Sequence, residues 1–102
     1  MANFGALIQS ETPVLVDFYA DWCGPCKLMA PVLKEVKDAL GDAVRIVKID
    51  VDKEQQAAAS FGIQGIPTFM IFQNGEIKWR ASGVLSKQQL IQTLQTFMKP
   101  AS

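Results

Sequence analysis

The run Val14-Leu15-Val16-Asp17-Phe18-Tyr19-Ala20 leads within two residues into Cys23-Gly24-Pro25-Cys26, and a helical apolar pattern begins at once. This junction constrains the fold more than any other stretch. A run that is apolar at odd and even positions alike has no solvent face, which is the habit of parallel strands covered by helices on both sides. It predicts an α/β sheet. Pro25 suits a first helical turn, where its missing N–H would be unsatisfied in any case. Met29, Val32, Leu33, Val36 and Leu40 then mark one helix face and Lys27, Lys34, Lys37 and Asp38 the other, with a stop at Gly41. A helix is expected over Pro25–Leu40, continuing past Pro31 with a kink where that residue removes an N–H.

The chain holds two cysteines and no histidine. A closed structural zinc site usually takes four Cys/His ligands, so no self-contained one can be built. Thiol–disulfide exchange is left, against the blander alternatives of a local structural disulfide or a pair of small buried hydrophobes. Position favours exchange, because the free N–H groups and positive end of a helix stabilise a thiolate over a thiol. Cys23, outside the helix beside Trp22, is expected to be the exposed nucleophile, and Cys26, one turn further in, the shielded thiol. In that cycle Cys23 attacks a target disulfide, and Cys26 then releases the reduced target and leaves Cys23–Cys26 oxidised.

Trp22-Cys23-Gly24-Pro25-Cys26-Lys27 resembles the active-site signature of the thioredoxin family. Val14–Ala20 before it, Gly65-Ile66-Pro67-Thr68 after it, and Asn74-Gly75 and Gly83 later match the family at the expected separations. The likeness covers nearly the whole chain. It implies a single thioredoxin domain over residues 1–102 and a protein-disulfide reductase that maintains redox homeostasis, served by disulfide-containing client proteins and an electron donor of the thioredoxin-reductase type. It implies no cofactor beyond the cystine itself. Asp17 is a lone acid in an apolar strand, and an unpaired buried carboxylate should have a raised pKa. By resemblance it lies behind the dithiol and exchanges a proton with Cys26, while Lys48 resembles the family lysine near that acid. The resemblance also implies a cis Ile66-Pro67 bond facing the dithiol, where spacing alone would favour trans. It leaves the Ile66 backbone free to pair with an extended substrate. Trp22, Gly24, Pro25, Ile66, Gly83 and Val84 would form an apolar rim.

Ten Lys+Arg balance ten Asp+Glu in 102 residues, so no charge field points to nucleic acid or an acidic membrane. There is no apolar run of about 18 residues to cross a bilayer. The start, Met1-Ala2-Asn3-Phe4, has no basic segment followed by a long apolar one, so a cytoplasmic protein is expected. In that reducing compartment a Cys-x-x-Cys cycles more readily than it staples.

The other elements follow from local patterns. Phe4, Leu7 and Ile8 suggest a short first helix. Val44–Val51 reads as a second strand, and Asp52 with Gln55 as a capping box for an alanine-rich helix ending at Phe61-Gly62. Phe69–Phe72 is a strand joined through Asn74-Gly75, a strong hairpin signal, to an edge strand in which Ile77, Trp79 and Ala81 alternate with Lys78, Arg80 and Ser82. Ser86 with Gln89 caps a last helix carrying Leu90, Ile91, Leu94, Phe97 and Met98. Thioredoxins carry a further strand before the first helix that has no counterpart here. The expected sheet is therefore mixed and four-stranded, flanked by helices, with strand 44–51 as an edge and either a monomer or a weak dimer through it. Two other functions compete with the reductase: a redox-inactive binding or assembly subunit using the same rim, and an oxidant or isomerase for exported proteins.

Overall fold

The computed structural model describes residues 4–98. Its centre is the strand β1, Val14–Tyr19, whose first five residues are all buried as the two-sided apolar pattern requires. Before it lies a one-turn helix, α1 (Phe4–Ile8). After it come α2 (Gly24–Leu40), a short 3₁₀ turn at Gly41–Ala43, β2 (Arg45–Asp50), α3 (Gln55–Ser60), β3 (Thr68–Gln73), β4 (Glu76–Ser82) and α4 (Lys87–Phe97). The strands lie in the order β2-β1-β3-β4, with β1 parallel to β2 and antiparallel to β3, and β3 antiparallel to β4. This is the expected mixed four-stranded sheet. Among the described residues β2 is one edge, and the part of the missing-strand expectation that concerns Met1–Asn3 falls outside them.

Alternation along the strands divides the core. Leu15, Phe69 and Ile71 face α2 and α4, where they pack with Met29, Leu33, Val36, Leu90 and Leu94. Val14, Val16, Phe18, Met70 and Phe72 face the other way, with Ile8 and Ile49. There Phe4, Phe18, Phe61 and Phe72 form an aromatic cluster with ring centres 5.3–6.0 Å apart. Each fully buried Leu or Phe contributes about 1.5–3 kcal/mol. The first layer holds the helix that carries the dithiol, the second the helix that leads to the loop opposite it.

Gly41 ends α2 with φ 55°, and α2 runs unbroken across Pro31. Ser86 and Gln89 form the full reciprocal cap of α4. Asn74 and Gly75 both take positive φ, 52° and 81°, as a two-residue hairpin turn requires. Their N–H groups donate to Ser10 and Ile8 carbonyls at the end of α1, at 2.8 and 3.0 Å.

Two local expectations are corrected. α3 has no capping box at Asp52: its N-cap is Glu54, and Gln55 donates to the Asp52 carbonyl rather than closing a reciprocal pair. Asp50, nearly buried, supplies the local order by accepting from the Asp52 and Lys53 N–H groups. In β4 the register shifts, with Ile71 opposite Trp79 but Phe72 opposite Ile77. Lys78 is the extra residue, so Ile77 turns to the face opposite Trp79 and is 51% exposed.

Candidate active site

Cys23 is the N-cap of α2, with extended backbone angles (φ −88°, ψ 109°). The chain must leave the strand and enter a helix within four residues, and the Cys23 N–H bond to the Ala20 carbonyl (3.2 Å) closes that turn. A cap residue normally offers an oxygen to the first free N–H groups of the helix. Here the Cys23 sulfur takes that place and accepts from the Cys26 N–H at 3.1 Å. Cys23 and Cys26 are disulfide-bonded, with Cα atoms 5.3 Å apart. A Cys23 thiolate formed on reduction would keep that N–H partner and the positive helix end.

Cys23 is 4% exposed and Cys26 5%, so the expected contrast in exposure is absent from the oxidised pair. Packing explains this correction: the two sulfurs share a small cluster with Ala20, against which Tyr19, Val51 and Ile66 pack. Gly24 and Pro25, the residues between them, remain exposed.

Across from the dithiol stands the Gly62–Pro67 loop. The Ile66–Pro67 bond is cis, as the resemblance implies, and Pro67 is buried. The Ile66 carbonyl oxygen lies 3.8 Å from Cys23 Sγ. Gly83, with φ 95°, donates its N–H to the Pro67 carbonyl at 2.9 Å, which brings the loop after β4 to the same site. Val84 beside it is 55% exposed and Trp22 is 70% exposed. These and Leu28 are three of the four large apolar side chains most exposed among the described residues.

Asp17 is 1% exposed, and neither carboxylate oxygen has a hydrogen-bond partner among the described residues. Alternation puts it on the α2 side of β1, with Lys48 in register beside it on β2. Burial pushes its pKa up to about 6, and the Lys48 charge pulls the other way. Lys48 itself is exposed, its ammonium 4.6 Å from the centre of the Tyr19 ring. A cleft of about 190 Å³ opens here, lined by Tyr19, Ala20, Cys26, Lys27 and Lys48 among others. Water can therefore reach the Cys26 side of the dithiol.

Sequence reading missed two residues of this region. Asp52, read as a helix cap, accepts from the Trp22 indole N–H at 2.8 Å. Arg80, read as a solvent-facing strand residue, donates to the Phe61 and Gly62 carbonyls at the start of the loop. Neither partner lies near in sequence, and no local spacing announces either.

The family model for thioredoxin matches residues 1–96. A chloroplastic thioredoxin Y of rice is 46% identical over 98% of this chain, which spans only 60% of that relative's length. A thioredoxin-like protein of Synechocystis is 47% identical over 95% of this chain and 93% of its own, and thioredoxin 1 of Chlorobaculum tepidum 47% identical over 81% and 82%. The solved structure of a mutant thioredoxin from Halobacterium salinarum superposes with a TM-score of 0.87 at 30% identity, covering all of this chain and 88% of the other. With the cystine at the mouth of α2, the sheet order and these likenesses in agreement, the chain belongs to the thioredoxin family.

Proposed function

We propose that this chain is a protein-disulfide reductase that works by dithiol–disulfide exchange through Cys23-Gly24-Pro25-Cys26 and so contributes to redox homeostasis. The observation that carries the reading is the cystine capping α2 with the Ile66 carbonyl 3.8 Å from Cys23 Sγ. An extended client segment can pair with the Ile66 backbone while its own cystine meets Cys23. Trp22, Gly24, Pro25, Gly83 and Val84 supply the apolar rim for its side chains.

In the reduced protein the Cys23 thiolate attacks one client sulfur. The client S–S bond breaks, a Cys23–client disulfide forms, and the other client sulfur leaves as a thiolate and is protonated. Cys26 passes its proton to Asp17 and attacks Cys23 Sγ. The mixed disulfide breaks, the second client sulfur leaves and is protonated, and Cys23–Cys26 closes, two electrons having passed to the client. A carboxylate with a pKa of about 6 is suited to that proton, and Lys48 favours its ionised form. An external dithiol donor of the thioredoxin-reductase type returns the two electrons, and no further cofactor is needed.

No helix among the described residues is long and apolar enough to cross a membrane. A reducing compartment such as the cytoplasm suits the cycle. In solution the chain is a monomer or a weak dimer through strand 44–51, whose Arg45 and Lys48 oppose tight self-pairing at that edge.

Reduction of a cystine-bridged peptide by the prereduced protein tests the reading. The unsubstituted chain should leave one new Cys23–Cys26 disulfide per client cystine opened, and the Cys23→Ser/Cys26→Ser variant should do nothing. A double variant as active as the parent would overturn the reading and leave a binding subunit.

A further inference from the structure

The loop opposite the dithiol starts from N–H bonds to the last turn of α3 and from the Phe61 ring in its aromatic cluster, and it is tied besides to one edge strand. Residues 61–67 connect α3 to β3, and Ile66, near their end, carries the carbonyl beside Cys23. Arg80 and Ser82 in β4 and Gly83 just past it reach this segment, Ser82 by way of Thr68. Gly83 donates its N–H to the Pro67 carbonyl at 2.9 Å. The Thr68 hydroxyl donates to the Gly65 carbonyl and therefore accepts from the Ser82 hydroxyl, 3.0 Å away, because it has a single hydrogen to give. The Arg80 guanidinium donates from its two terminal nitrogens to the carbonyls of Phe61 and, at 3.0 Å, Gly62.

The Arg80 contact differs in kind from the other two. Ser82 and Gly83 act on the end of the loop that already runs into β3. Arg80 instead reaches across to its start, where α3, six residues long, leaves carbonyls beyond its last turn. Those carbonyls are at the surface, and water could satisfy them. A guanidinium fork does what water cannot, since it fixes two successive peptide groups in one orientation. Its charge also complements the negative end of the short helix.

We propose that Arg80 is a positioning residue: by clamping the Phe61 and Gly62 carbonyls it sets where the Ile66 backbone stands over Cys23, and hence how well an extended disulfide-containing polypeptide pairs with it. The proposal rests on the reductase reading above. It assigns to Arg80 an effect on client capture, because Ser82 and Gly83 still hold the Pro67 end when the clamp is removed, and the dithiol is untouched.

Single-turnover reduction by the prereduced protein tests this with two substrates, a cystine-bridged extended peptide and a small aromatic disulfide that has no backbone to pair. In Arg80→Ala the half-saturating peptide concentration should rise about fivefold with the limiting rate kept, and the peptide's advantage over the small disulfide should fall by the same factor. Arg80→Lys, a single-point donor, should lie between. An equal loss on both substrates, a loss in limiting rate alone, or no change would overturn the assignment. An unsubstituted chain that reduces neither substrate would instead fell the reductase reading itself.

Discussion

The indole N–H of Trp22 donates to Oδ2 of Asp52 across 2.8 Å, tying the residue before the dithiol to the turn after β2. An aromatic ring 70% exposed has little packing to fix it, so this bond should limit its motion. Asp52→Ala should change stability by less than about 1 kcal/mol, as expected for an exposed hydrogen bond. It should also loosen the ring. In a Trp79→Phe background, where Trp22 is the sole indole, its fluorescence anisotropy should fall, and Asp52→Asn should keep most of it by retaining an acceptor. Equal anisotropy in all three would show that the bond does not order the ring.

Asp17 should make stability fall as pH rises. Its pKa is about 6 in the folded protein against 3.8 for the free side chain, chiefly because burial penalises the ionised form. Between those values the folded state binds more protons than the unfolded chain, so the contribution is complete below pH 3.8 and is lost as pH climbs through about 6. The loss amounts to roughly 3 kcal/mol at most. Asp17→Asn should flatten this window in urea titrations and be no less stable than the parent at pH 8. It should also slow release of the mixed disulfide. A variant with the parent's pH profile would place the titration elsewhere.

The two sulfurs should separate by role although they share the same burial. Cys26→Ser should accumulate covalent adducts with cystine-containing proteins, visible on non-reducing gels and reversed by dithiothreitol. Cys23→Ser should accumulate none. On the reduced parent, iodoacetamide near neutral pH should label Cys23 first, because its sulfur holds the helix N–H partner. Adducts on Cys26 would reverse the assignment.

Lys37 closes the far end of α2. Its ammonium donates to the Gly41 carbonyl at 2.8 Å and the Val44 carbonyl at 2.9 Å, joining the helix terminus to the entry of β2. Lys37→Met keeps the stem but leaves both carbonyls short of a donor, and should cost about 1–3 kcal/mol in urea unfolding. Reduction of a small disulfide should be spared. A midpoint equal to the parent's would mean that water replaces the ammonium fully.

What could be read in the sequence was chemistry carried by neighbours. The Cys23–Cys26 spacing, the Asn74-Gly75 turn and the Ser86/Gln89 cap each bind groups a few residues apart, so their patterns survive without knowledge of the fold. Trp22 and Asp52 are 30 positions apart, and Arg80 is 18 from Gly62, so both pairs depend on how the strands are ordered. The alternation of Ile77, Trp79 and Ala81 was misleading for a related reason. A bulge at Lys78 inverts one residue, and parity cannot reveal an insertion made by pairing. The cis Ile66–Pro67 bond came from family resemblance alone. Burial of Cys23 was missed because position along a chain says little about what packs over a sulfur.

The nearly complete enclosure of the Cys23–Cys26 pair sets a rule of admission. In the proposed cycle any sulfur that exchanges with the oxidised pair must come close to it, since the pair itself presents little surface. In that cycle a cystine inside a well-folded core cannot be presented to it. Cystines on protruding or unravelled stretches can. Selection then operates by reach, with the shape of the visitor deciding which bonds are opened.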